Sequence, residues 1–247
     1  MSSYRVGTDA FEALEAIQSC QNADEVYQAF QAYISQFGFT AFLITDMPPT
    51  GFNLEPHVLL SGWPVEWFEQ YMNERHYDHD PIALRSQTTI KPFFWDDVIA
   101  EAELTDRASR VMGEAAEFGL KFGLSVPVYG EIGLLSCVTM GGEQLELPPR
   151  AKDAIYMISI YAHDKARRFQ DEKKRLPPRT AKPILTKRER EILSWVAQGK
   201  TDYEIGMICG ISANTSHQHV RHAMAKLNAV TRAQATAKAL LNGEIKL

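Results

Sequence analysis

Cysteine is scarce in this chain: three in 247 residues, at Cys20, Cys137 and Cys209. They show no metal-type spacing. Scattered unpaired thiols exclude a disulfide framework and suit a reducing cytoplasm, with Cys209 a packing residue. No apolar run approaches the ~20 residues of a membrane span. The opening MSSYRVGTDAFEALEA lacks the apolar core of a signal peptide. There is no internal repeat and no H-E-x-x-H zinc signature. The expectation is a cytoplasmic protein with no membrane partner, no metal, no cofactor and no catalytic residues, hence not an enzyme.

Basic residues are also scarce over most of the chain. Residues 1–164 carry nine Lys and Arg against twenty-four Asp and Glu, whereas 165–247 carry seventeen against seven. The overall charge of −5 therefore hides an acidic body and a basic C-terminal third. Such a third is the electrostatic footprint of phosphate binding. The length suits two domains, one over 1–169 and one over 184–247. Between them, 170–183 reads as a charged linker broken by Pro177, Pro178 and Pro183.

From Leu185 to Leu241 the capping chemistry predicts four short helices. Thr186 with Glu189, Thr201 with Glu204 and Thr231 with Gln234 each have capping-box spacing, and Ser212 can cap a further helix after Gly210. Ile192, Leu193, Trp195, Val196, Ile205, Ile208, Val220, Met224 and Leu227 form the apolar set at helical spacing. The turn Cys209-Gly210-Ile211 reads as the glycine turn of a helix-turn-helix. Its second helix, about 213–227, begins with Asn214, Thr215, His217, Gln218 and Arg221. These side-chain types pair with base edges and phosphates. Lys200 and Lys226 are expected at phosphates, with Thr201 beside them. His217, His219 and His222 spread around the helix and suit DNA or solvent better than a metal.

The N-terminal domain reads as α+β. Helices are expected at about 8–19, 23–36, 64–75, 106–118 and 149–173. Strands are expected at 39–46 and 57–61, with a hairpin of 122–128 and 132–140 turned at Gly130-Glu131. This order predicts an antiparallel sheet flanked by helices, an α/β/α sandwich. Trp63, Trp67, Tyr71, Tyr77, Asp80, Phe93, Phe94 and Trp95 cluster in sequence around one acid. Aromatics with one fixed polar group can form a small-molecule pocket. They can equally be plain core with Asp80 capping a turn. The run His76–Asp80 could also supply metal ligands. A receiver domain is excluded because the first segments are two helices rather than βα units.

The C-terminal stretch L-T-x-R-E-R-E-x-L-x-W-x-A-x-G-K-T-x-x-E-I, continued to R-A-Q-A, resembles the LuxR family of bacterial transcription regulators. Near-invariant family positions fall on Glu189, Leu193 and Gly199. One departure is Ser216, where the family usually has Val, so an apolar anchor at the start of the reading helix is lost. Trp67, Tyr71, Asp80, Pro81, Trp95, Gly119, Leu120, Gly123 and Pro127 resemble the acyl-homoserine-lactone-binding domain of the same regulators. That resemblance implies that Trp67 donates to the lactone carbonyl, Asp80 accepts from the ligand amide, Tyr71 walls the acyl chain and Trp95 packs over the lactone. It also implies that Ser136 bonds the acyl carbonyl, and that His217 and Arg221 occupy the base-reading positions. Trp63 stands where many relatives have Tyr. This change implies a shorter, branched or aromatic acyl group, or a non-lactone signal. The reading is a quorum-sensing transcription factor whose partners are promoter DNA at an inverted repeat, the autoinducer, a second copy of itself and RNA polymerase. Helix 155–169 and helix 231–241 are the expected dimer surfaces. The alternative is a regulator of this type that hears a non-lactone signal or acts without ligand.

Overall fold

The computed structural model describes residues 3–48, 52–101, 103–130, 133–173 and 184–246. The chain divides into two compact units, Met1–Leu176 and Pro177–Leu247.

The first unit is an α/β/α sandwich. Its sheet is antiparallel, with strand order β2-β1-β5-β4-β3: β1 is Ala41–Asp46, β2 Val58–Ser61, β3 Phe93–Phe94, β4 Phe122–Gly130 and β5 Gly133–Gly142. On one face lie α1 (Ser3–Ser19), α2 (Ala23–Ser35) and α7 (Ala151–Lys173). On the other lie α3 (Val65–Asn73), α4 (Pro81–Ser86), α5 (Trp95–Glu101) and α6 (Asp106–Glu117). Because both faces are covered, β1 is buried along nearly its whole length. Alternation then splits its residues: Phe42 and Ile44 join the core under α1, α2 and α7, while Ala41 joins the core under α3–α6.

Local chemistry starts the helices. Asn22 accepts from the Glu25 N–H at the head of α2, and Thr105 accepts from Ala108 N–H at the head of α6. Three elements escape the periodic reading, α5 with its seven residues among them. Helix α4 has six residues and β3 two, too few for a period to show. Helix α7 runs through Lys173, the end expected of the 149–173 helix, and so takes in the first residues read as linker. Gln170, Asp171, Glu172 and Lys173 include good helix formers and no proline to stop them. Residues 174–183, and the hairpin turn at Glu131, lie outside the described residues.

The second unit is the four-helix module expected: α8 (Lys187–Ala197), α9 (Asp202–Cys209), α10 (Ala213–Lys226) and α11 (Arg232–Leu241). Complete capping boxes start α8 and α9. The third is half a box. Thr231 Oγ1 accepts from Gln234 N–H, but Gln234 Oε1 accepts from Val230 N–H at 2.7 Å. Thr231 is more extended, at φ −132° against −67° and −76° for the other two caps, which turns a different N–H toward the glutamine. Gly210 closes α9 at φ +65°, a left-handed conformation suited to glycine. Ile208 is exposed rather than core. Gly206 presses against the turn instead, and a Cβ there would lie 2.8 Å from the Ile211 carbonyl oxygen.

The apolar faces expected to form a dimer are largely used within their own units. Ile155, Ile158, Ala162 and Ala166 on α7 are buried, and so are Ala235 and Ala239 on α11. What α11 leaves exposed is Ala233, Ala237 and Leu241, following an exposed Val230. Among the described residues no helix is long and apolar enough to cross a membrane.

Candidate functional site

In the first unit a cavity lies between the sheet and the layer of α3–α6. Of the expected site residues, Trp63, Trp67, Tyr71, Asp80 and Trp95 all line it. Trp67 and Tyr71 are one turn apart on α3 and pack edge to face at 5.5 Å. Trp63, just before α3, stands edge-on to Tyr71 at 5.0 Å. Its indole Nε1 is buried and has no hydrogen-bond partner. Trp95 opens α5 and lies over two glycines paired across β4 and β5, Gly123 and Gly141. A Cβ at Gly123 would come within 2.2 Å of its ring, and one at Gly141 within 2.7 Å. Trp95 Nε1 donates to Ser125 Oγ at 3.1 Å, and Ser125 Oγ lies 2.8 Å from Thr139 Oγ1.

Asp80 both caps a helix and faces the cavity, roles the sequence left as alternatives. Oδ1 accepts from the Ile82 N–H at 2.7 Å, heading α4, and Oδ2 accepts from the Tyr71 hydroxyl at 2.6 Å. Burial pushes its carboxyl above the ordinary value, outweighing the opposing hydrogen bonds from Tyr71, Ile82 and Ala83 and the field of His76. Tyr71 is raised well above its own ordinary value, by burial first and then by Asp80. The acid is thus held by neutral donors alone.

Ser136 is a correction. It is fully buried but faces α7, where it donates to Asp46 Oδ1 at 2.8 Å and receives Arg167 at 3.0 Å, with His163 Nε2 at 2.7 Å. Strand alternation decides this. Cys137 and Thr139 line the cavity, while Val138 and Met140 join the opposite core, so position 136 falls on the wrong face. The serine and threonine residues that do line the cavity, among those described, are Thr45 and Thr139 from the sheet and Ser86 from α4. An exact strand phase would have found Thr139; no sequence signal pointed to Ser86.

The run His76–Asp80 disperses. Asp80 turns to the cavity, His79 Nε2 lies 2.8 Å from Arg107, and His76 Nε2 lies 2.7 Å from Glu114 Oε2 behind Trp67. Glu74, His76 and Glu114 bring three ligating atoms within 4.8 Å of one another. However, Arg110 already bridges both carboxylates, at 2.5 Å to Glu114 and 2.8 Å to Glu74. The cluster is an ion network running from an exposed Glu74 to a buried His76.

In the second unit, α10 sorts cleanly. Ser216, Val220, Ala223 and Leu227 are buried, while Asn214, Thr215, His217, Gln218 and Arg221 are exposed. Thr201 is occupied as the cap of α9. Lys200 is partly exposed, 3.9 Å from Glu204. Lys226 departs from the phosphate role expected of it. Its Nζ lies 2.7 Å from Glu189 Oε2, a carboxylate only 4% exposed, and a buried charge needs a counter-charge. Ser216 replaces its missing apolar contact with a hydrogen bond to Asp202 Oδ1 at 3.4 Å.

Residues 22–166 match the family described as the autoinducer binding domain, and residues 183–239 match bacterial regulatory proteins of the luxR family. The chain is 39% identical over 214 residues to the HTH-type quorum sensing-dependent transcriptional regulator RpaR of Rhodopseudomonas palustris, covering 87% of this chain and 86% of that protein. It is 35% identical over 205 residues to the transcriptional activator protein BjaR1 of Bradyrhizobium diazoefficiens, covering 83% of each. The fold is similar to the crystal structure of Escherichia coli SdiA, with a TM-score of 0.68 at 21% identity over 95% of this chain and 96% of that one.

Proposed function

The chain belongs to the luxR family of bacterial regulatory proteins and is a quorum-sensing transcriptional regulator with an autoinducer-binding and a helix-turn-helix domain, and on that premise we propose that its signal is an N-acyl-homoserine lactone and that it binds promoter DNA as a dimer. It is a family of regulators and not of enzymes. The observation that carries the lactone reading is Asp80, half-buried in a wall of aromatics and held by the neutral donors Tyr71, Ile82 and Ala83. A neutral amide ligand needs one acceptor and a few donors in a dry site. In this reading Asp80 accepts the signal's amide N–H, Trp67 donates to the lactone carbonyl, Trp95 covers the lactone and Tyr71 walls the acyl chain. Trp63 contributes its unpaired indole N–H, and Thr139 or Ser86 takes the place expected of Ser136.

The DNA face is the exposed set Asn214, Thr215, His217, Gln218 and Arg221, with Lys200 and Thr201 at the backbone. Two copies would read an inverted repeat, paired through the exposed Val230, Ala233, Ala237 and Leu241. RNA polymerase is the further partner of such a complex, and the cytoplasm its location. Native mass spectrometry of full-length protein produced with and without a panel of acyl-homoserine lactones tests the signal and the dimer together. Retention of one lactone supports the reading. A signal at a hundredfold excess over Kd should add about 2.7 kcal/mol of stability. Melting curves that no lactone moves would favour a non-lactone signal or a ligand-free regulator, for which the Trp63 departure is the supporting observation.

A further inference from the structure

One carboxylate ties three helices of the DNA-binding unit together. Asp202, in the first turn of α9, has Oδ1 3.4 Å from the Ser216 hydroxyl and Oδ2 3.2 Å from His217 Nδ1, both on α10. Arg232 at the head of α11 reaches the same Oδ2 at 3.9 Å and also donates to the Lys200 carbonyl at 3.3 Å. Ser216 is fully buried, so its tie is internal. His217 is different, because its side chain is 55% exposed on the face that also carries Gln218 and Arg221.

A carboxylate only accepts, so Nδ1 must carry the proton in this contact. In a neutral imidazole the other nitrogen is then an acceptor, and the choice of tautomer is set by the bond the first nitrogen makes. A free histidine on a helix surface samples several rotamers and both tautomers. Held at Nδ1, the ring has its orientation and the hydrogen-bonding sense of Nε2 fixed before DNA arrives.

We infer that Asp202 is a positioning residue for DNA reading: it orients His217 across the helix-turn-helix and selects Nε2 as the atom offered to the groove. This rests on the reading of the α10 face as the DNA surface. The serine at 216 belongs to the same device, since its hydroxyl occupies Oδ1 and leaves Oδ2 to the histidine. An Nε2 acceptor matches an amino group on a base edge, adenine N6 or cytosine N4.

The test uses the full-length protein, a duplex selected from a random library by the parent, and an unrelated duplex of equal length. His217→Ala should weaken binding to the selected duplex about tenfold, the size of one lost specific contact, with little change on the unrelated one. Asp202→Ala should do nearly the same. The double variant should be no weaker than His217→Ala alone, because the carboxylate acts through the ring. Asp202→Asn keeps an acceptor oxygen for Nδ1–H and should stay within about twofold of the parent, a rescue that a purely structural role for the charge does not give. Retained binding to the unrelated duplex shows that each variant is folded. If the two losses on the selected duplex multiply, or Asp202→Ala discriminates as well as the parent while His217→Ala does not, the inference falls and the DNA face stands. If His217→Ala itself keeps full discrimination, His217 is not a reader and the inference falls with that assignment, while Arg221→Ala still tests the DNA face.

Discussion

Each unit holds a desolvated carboxylate at the start of a helix, and the two are shifted in opposite directions. Glu189, third residue of α8, loses solvation by burial, but Lys226 and Thr186 outweigh that loss and its carboxyl is held below the ordinary value. Asp80, cap of α4, is likewise desolvated, but its partners Tyr71 and Ile82 are neutral, and its carboxyl is pushed above the ordinary value. A full counter-charge is the difference. The DNA-binding unit satisfies its buried acid internally and gains stability from it. The signal-binding unit gives its acid neutral partners and no ion pair, in a cavity also lined by Trp63 with its unpaired indole N–H, and that is the state expected of a site completed by a ligand.

The strongest way to break this comparison is to disturb the cavity floor. Gly123→Ala places a methyl group against the Trp95 ring and the Met140 carbonyl oxygen, and should destabilise the first unit by about 3 kcal/mol. Thermal unfolding should show the transition of the first unit moving down while that of the second stays. An unmoved first transition would mean that Trp95 does not rest on the glycines in solution.

Asp80→Asn sharpens the comparison. It should weaken signal binding by roughly 1–3 kcal/mol, the cost of a mispaired buried group, while raising the stability of the signal-free protein, because the desolvated charge is gone. Titration calorimetry beside unfolding reads both. Parental affinity for the true signal would exclude an amide held by Asp80. In the same cavity, Trp63→Tyr should move preference toward longer straight-chain signals in a reporter dose–response series.

For the second unit, Lys226→Ala leaves Glu189 buried and unpaired and should lower stability by about 1–2 kcal/mol, a range kept low because Lys226 is itself partly exposed. Lys200→Ala should leave stability alone and flatten the salt dependence of DNA binding. If the two variants behave alike in both measurements, Lys226 is a phosphate contact after all. Arg221→Ala should cost about 1–3 kcal/mol on a specific duplex and much less on a random one.

The smallest effect is in pH. A raised Asp80 contributes stability that is present at low pH and lost as pH rises through its folded-state value. A lowered Glu189 contributes stability that is present at neutral pH and lost as pH falls through its folded-state value. Acidification toward pH 4 should therefore favour the first unit through Asp80 and disfavour the second through Glu189. Denaturation midpoints across pH for Asp80→Asn and Glu189→Gln should each lose one arm of that opposition.

What the sequence determined by itself was whatever depends on near neighbours along the chain. Thr186 and Glu189, Thr201 and Glu204, Ser212 and Gly210 are separated by no more than a few residues, and helix starts and turns need nothing further. The same holds for Trp67 and Tyr71 on one face of α3, and for Asp80 made extended by Pro81. Tertiary structure decided what depends on the phase of one strand against another or on charges distant in sequence. Ser136 and Thr139 are three residues apart on β5, so one faces α7 and the other the cavity, and only the pairing with β1 and β4 sets which. Lys226 went to Glu189, 37 residues earlier, because a buried acid must find a cation wherever the fold brings one. Asp202 met His217 across a turn whose geometry no local pattern states.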